Sequence, residues 1–271
     1  MMDCNKAIGV FDSGIGGLTV ADHIQKIMPN ENLIYFGDTE HLPYGEKSED
    51  AVRHFSEGIA SFLASKKCKA IVIACNTASS LGFDAVKALL PDNIIVWNVI
   101  DPVVDELCKA EDNTKIGVIG TRATIKSEIY SKKLKKKNPN LIVREMATPL
   151  FAPMIEEGFF NNQISKTVID SYLSKDSLKN IDKLILACTH YPLIESAIDS
   201  YYQGKVTIIN SAALVAEGLK KTLAEKNLLN KSKAEVKHHF YISDYTEAFE
   251  KSARTFFKGE IHFTELKLWG E

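Results

Sequence analysis

The feature that most limits what this chain can fold into is the recurrence of short, continuous apolar runs rich in β-branched residues. They fall at 7–11, 33–36, 70–74, 94–99, 115–119, 141–144, 183–187, 206–209 and 239–242. Each is too short for a core helix and lacks strict alternation of apolar and polar positions, the pattern of strands buried on both faces. Helix-length amphipathic stretches lie between them, at 18–28, 48–66, 78–90 and 125–137; the first is stopped by Pro29 and the third by Pro91. Strand, helix, strand order predicts an α/β fold of parallel sheets joined by right-handed crossovers.

A weak internal echo divides this pattern in two. Ile8-Gly9-Val10-Phe11 returns as Ile116-Gly117-Val118-Ile119, and 70–77, ending in Ala74-Cys75-Asn76-Thr77, returns as 183–190, ending in Ala187-Cys188-Thr189-His190. With 271 residues, two domains or one large one are expected. The prediction is two similar parallel-sheet α/β domains in a pseudo-two-fold relation, with the active site in the cleft between them. The first domain takes 1–98 plus 208–271 and the second 99–207, with the boundary where a strand runs out near Pro102.

The 33 basic and 35 acidic side chains leave a net charge of −2, which argues against nucleic acid or an anionic membrane as a main partner. The lysines at 132–137 read as a solvated helix end offsetting the helix dipole. Five cysteines, with no Cys-x-x-Cys pair, exclude a disulfide scaffold and a ribbon-type zinc module. The first residues, with Asp3 where a signal peptide is basic, predict a cytoplasmic protein with reduced thiols.

Which thiols react is then the question. Cys68 and Cys108 read as small buried hydrophobes and Cys4 as incidental. Cys75 and Cys188 stand just beyond strand ends, where open parallel sheets place functional groups, and each precedes small polar residues entering a helix. Backbone N–H groups at a helix start lower a thiol pKa below about 8.5, so both are expected to be partly ionised near neutral pH. Zinc on Cys75, Cys188 and His190 is an alternative, but the usual ligand spacing is missing.

Asp12-Ser13-Gly14-Ile15-Gly16-Gly17 ends the first strand in a glycine turn whose helix N-terminus suits an anion, more readily a carboxylate than a pyrophosphate. Asp12 reads either as a cap or as a group acting on the site. The loop at Leu42-Pro43-Tyr44-Gly45 reads as a second anion cradle or a plain turn. Thr121 and Thr124 occupy the matching place in the second half. Two thiols facing one cleft suit inversion of a stereocentre, because one base on each face is needed; Asn76, Thr77, Thr189 and loop amides are the donors to stabilise carbanionic charge. A thiol oxidoreductase and a non-catalytic amino-acid-binding module remain open on these residues.

Together, Asp12-Ser13-Gly14-Ile15-Gly16-Gly17, Tyr35-Phe36-Gly37-Asp38-Thr39, Pro43-Tyr44-Gly45, Ala74-Cys75-Asn76-Thr77-Ala78 and Ala187-Cys188-Thr189-His190-Tyr191-Pro192 resemble the bacterial glutamate racemases of the cofactor-independent aspartate/glutamate racemase superfamily. The resemblance covers nearly the whole chain. It implies interconversion of L- and D-glutamate by two cysteines, without cofactor or metal, supplying D-glutamate for peptidoglycan and so for cell-wall biogenesis and cell shape. Cys75 and Cys188 match the catalytic thiols, Asp12 the helper of the first, and His190 with Glu156 the helpers of the second. Substrate contacts carry over to Asp12, Ser13, Tyr44, Gly45, Asn76, Thr77, Thr189 and His190, with Pro43, Thr121 and Thr124 beside them. The expected partner is the small-molecule substrate glutamate, with a homodimer as the assembly to consider and aspartate racemase or a related superfamily isomerase as the alternative activity. Thr148 stands where many members have Cys, and Asn210-Ser211 where Asp-Ser is common. The short N-terminus predicts no regulatory extension.

Overall fold

The computed structural model describes residues 3–232 and 234–269; Met1, Met2, Lys233, Gly270 and Glu271 of the expected first domain lie outside the described residues. All nine predicted strands form: β1 Ile8–Asp12, β2 Leu33–Gly37, β3 Ala70–Ile73, β4 Ile95–Asn98, β5 Lys115–Gly120, β6 Ile142–Ala147, β7 Lys183–Ala187, β8 Thr207–Ile209 and β9 His239–Ile242. A tenth, β10 Phe263–Glu265, was not legible. Its three residues include two exposed polar ones and form no apolar run.

The strands make two parallel sheets, ordered β10-β9-β2-β1-β3-β4 and β6-β5-β7-β8. Four strands repeat the same order in both: β2-β1-β3-β4 corresponds to β6-β5-β7-β8. The echo therefore reflects equivalent central strands, β1 with β5 and β3 with β7. Strands β1, β2 and β3 are buried along their whole length, as their unbroken apolar character requires. β8 pairs with β7 through Ile209, so a division at 207/208 cuts that strand, and the chain leaves the second sheet at Asn210. Asn210 caps helix Ser211–Glu225 by accepting from Ala212 N at 3.1 Å, and its Nδ2 donates to Glu195 Oε2 at 2.9 Å. An aspartate there would set two carboxylates against each other.

Two predicted helices are each broken in two. The stretch 78–90 forms Asn76–Leu81 and Phe83–Leu89, parted at Gly82, which sits where a Cβ would lie 2.7 Å from Ser56 Oγ. The stretch 125–137 forms Arg122–Ser127 and Ile129–Lys137, with Glu128 between them in the left-handed region at φ 54°. The lysine run ends the latter helix as expected, and Lys133 Nζ lies 2.5 Å from Asp101 Oδ1. Cys68 is buried, but Cys108 is only half-buried at a helix end, with its thiol directed to the Asp105 carbonyl, which corrects the core reading of that residue. Among the described residues no helix is long and apolar enough to cross a membrane.

Candidate active site

β3 delivers Cys75 to the carboxyl edge of the first sheet, where it caps helix Asn76–Leu81 by accepting from Ala78 N at 3.4 Å and donates toward Ser13 Oγ at 3.7 Å. The expected low pKa does not follow. Burial, reinforced by the Asp12 charge, pushes the Cys75 thiol up to about 12, and the Ala78 N–H and the Ser13 hydroxyl offset this only in part. One short helix turn does not replace the hydration that the sulfur has lost.

β7 delivers Cys188 to the matching edge of the second sheet. It is followed not by a helix start but by a turn into a 3₁₀ segment, Tyr191–Ile194, so the helix-entry reading holds for Cys75 alone. His190 does the equivalent work here. Its Nδ1 is 3.7 Å from Cys188 Sγ, and its Nε2 is 2.8 Å from Glu156 Oε1, at ion-pair distance but out of line for a hydrogen bond. Burial opposes charge on the ring, but the Cys188 sulfur and the Glu156 carboxylate outweigh it and hold the His190 pKa well above the usual histidine value. The Thr148 hydroxyl is 2.8 Å from Tyr191 Oη, behind this 3₁₀ segment.

Between the two sulfurs lies one cleft, lined by Ser13, Pro43, Tyr44, Gly45, Asn76, Thr77, Thr121, Thr189, His190 and Glu156 together with both cysteines. Its free volume is about 30 Å³, room for roughly one water. Asp12 and Thr124 do not line it. Thr124 is buried behind, its hydroxyl 3.2 Å from that of Thr77, and Thr121 Oγ1 stands 2.9 Å from Thr77 Oγ1 across the two domains. Asp12 accepts from Gly14 N at 3.1 Å and from Thr189 Oγ1 at 3.4 Å. Burial raises its pKa, with the His190 charge and the Gly17, Gly14 and Ser13 amides pulling the other way. The anion seat expected at the glycine turn is thus taken up internally: the loop amides face Asp12, and the first amides of helix Leu18–Ile27 are spent on Ile15, Gly16 and Gly17 carbonyls at 3.0–3.1 Å.

Tyr44 turns its hydroxyl away from the cleft, onto Asp38 Oδ2 at 2.6 Å. Asp38 also accepts from Ser243 Oγ at 2.9 Å and from Trp269 Nε1 at 3.1 Å, so a buried carboxylate anchors the 42–45 loop from behind. Asp38 was visible in the Phe36-Gly37-Asp38-Thr39 segment, but nothing in that segment marks it as an anchor. Leu42, Ala152, Gly14 and Ala187 also line the cleft; the first two were legible only as neighbours of Pro43 and Glu156. Among the described residues no three His, Cys, Asp or Glu side chains converge as metal ligands would.

A narrow cleft between two parallel α/β domains, with one thiol and a separate acid–base neighbour on each side, defines a proton-transfer enzyme. The known proteins that this chain resembles agree. Residues 16–219 match the Asp/Glu/hydantoin racemase family. A glutamate racemase of Chlorobaculum parvum is 40% identical over 96% of this chain and 95% of its own length. The crystal structure of glutamate racemase from Francisella tularensis in complex with D-glutamate superposes with a TM-score of 0.92 at 39% identity, covering 98% of both chains. A glutamate racemase isoform of Bacillus anthracis gives 0.90 at 36% identity over 96% and 97%. The chain belongs to the Asp/Glu/hydantoin racemase family.

Proposed function

We propose that this chain is a glutamate racemase, interconverting L- and D-glutamate without a cofactor and supplying D-glutamate for peptidoglycan. The observation that carries the reading is the placement of Cys75 and Cys188 on one cleft, one thiol from each domain, each beside its own helper.

In the forward step a thiolate takes the α-proton: the C–H bond breaks, an S–H bond forms, and the electron pair is left on the α-carbon beside the carboxylate. The opposite thiol gives its proton to the other face and becomes the thiolate, so the configuration inverts and the two sulfurs exchange roles. His190 and Glu156 serve Cys188, the charged imidazole being the counter-ion for its thiolate. Asp12, whose carboxyl is held above the usual range, serves Cys75 as the proton relay. Ser13, Asn76, Thr77, Thr121, Thr189 and the Pro43-Tyr44-Gly45 loop bind the substrate, with Thr124 fixing Thr77 and Thr121 from behind. Burial of Cys75, Cys188, Thr189 and His190 strengthens these interactions.

The domain limits that go with this reading are 1–98 plus 210–271 and 99–209, the crossing moved from 207/208 so that β8 stays whole beside β7. A cytoplasmic location fits five unpaired cysteines. A homodimer is part of the reading, to be checked by light scattering.

The test is circular dichroism of L- and D-glutamate and of aspartate, each offered separately. The wild-type chain racemises glutamate in both directions, and Cys75→Ala and Cys188→Ala each abolish it. Racemisation that persists in both variants overturns the two-thiol mechanism, and turnover of aspartate in place of glutamate selects the alternative activity.

A further inference from the structure

Asn76 is a cleft residue with a divided amide. Its Oδ1 accepts from the Tyr130 hydroxyl at 2.7 Å, whereas its Nδ2 is buried and has no hydrogen-bond partner. The two residues come from different domains: Asn76 opens the helix after β3, and Tyr130 lies in helix Ile129–Lys137, between β5 and β6. Tyr130 is itself buried, its ring part of the core. A side-chain amide can be flipped about its last bond at almost no covalent cost, so its hydrogen bonds decide which end faces which way.

Resting on the racemase reading above, we propose that Tyr130 is a positioning residue for this reaction: by donating to Asn76 Oδ1 across the domain interface, it aims Asn76 Nδ2 into the cleft as a donor to the substrate. Burial, with Glu145 and Asp101 nearby, holds the Tyr130 phenol well above its usual pKa, so it remains a donor at every working pH. A donor must face the amide oxygen, which leaves the NH₂ end for the cleft. An unpartnered buried donor is costly unless something in the catalytic cycle takes it, and the anionic oxygens of an amino-acid substrate do so. Because the bond bridges the domains, it forms only when they approach each other as they do here.

The test uses the full chain. Tyr130→Phe keeps the ring in the core and removes only the hydroxyl; kcat/KM for glutamate is expected to fall about tenfold or more. Asn76→Ala falls at least as far, and adding Tyr130→Phe to Asn76→Ala costs nothing further, because the positioned group is already gone. Asn76→Asp, which keeps an acceptor for Tyr130 but has no donor, loses as much as Asn76→Ala. Equal losses for Tyr130→Phe in both backgrounds, or full activity of Tyr130→Phe, overturn the proposal. A readout independent of turnover is the side-chain ¹⁵N–¹H₂ signal of Asn76: one sharp pair in the wild type, shifted or doubled in Tyr130→Phe. An unchanged pair overturns the positioning role even where racemisation is absent, and a wild type inactive on glutamate with the expected shift overturns the racemase reading alone.

Discussion

Asp12 illustrates how a single side chain at this site trades stability for chemistry. Its carboxyl is fully buried and its pKa is raised above the ordinary 3.8. Between that value and the raised one, the folded chain holds more protons than the unfolded chain, so this group's contribution to stability is present below 3.8 and is lost as pH rises through the native pKa. Asp12→Asn, neutral throughout, therefore gains more in Tm relative to the wild type at pH 7 than at pH 4, while racemase activity falls by about 10²-fold with the loss of a proton-transfer group. Calorimetry at the two pH values checks the sign; equal Tm differences contradict it. The same balance sets the direction at Cys75, where burial outweighs the helix-start N–H groups. The N–H groups of a helix start are local and legible, but the desolvation that outweighs them comes from the whole fold.

At the level of elements, periodicity located the buried strands well because their composition is dictated by burial on both faces. It failed where tertiary contacts rather than composition set the break. Gly82 parts two helices because Ser56 of helix Glu49–Ser65 packs on it, with Oγ at 2.7 Å and Cβ at 2.8 Å from where a Cβ would be. Gly82→Ala is expected to destabilise the chain by about 1–3 kcal/mol through overpacking, and Ser56→Gly in the same chain to recover most of this. Urea denaturation gives both values; a neutral Gly82→Ala would show that the two helices shift freely. Because helix Asn76–Leu81 carries Asn76 and Thr77, displacing it should also reduce activity. The break at Glu128, in a left-handed conformation, had no glycine to signal it, and β10 had no apolar run. The candidate site was legible as strand-end segments, whereas Tyr130 and Asp38, which hold those segments in place, act through contacts distant in sequence.

For the whole molecule the decisive quantity is the space between the domains. The cleft has only about 30 Å³ of free space, so glutamate binding requires the two domains to stand further apart than they do here. The closed arrangement brings Gly45 onto Thr121, where a Cβ would lie 2.6 Å from Thr121 Cβ and 2.8 Å from its Cγ2. Gly45→Ala should therefore wedge the cleft, raising KM and lowering kcat with a smaller loss of Tm than Gly82→Ala, and Thr121→Gly should restore part of the closure. Unchanged kinetics for Gly45→Ala would mean that the chemistry does not need this closed form. The proposed mechanism requires one thiol on each side of the α-carbon, and racemisation in D₂O followed by mass spectrometry and NMR tests that most directly. Starting from protiated L-glutamate, early D-glutamate is expected to carry solvent deuterium at the α-carbon while the unreacted L-glutamate remains protiated, with the mirror result from D-glutamate. Product that retains the substrate's own α-hydrogen would contradict it, because that requires a single base working on both faces.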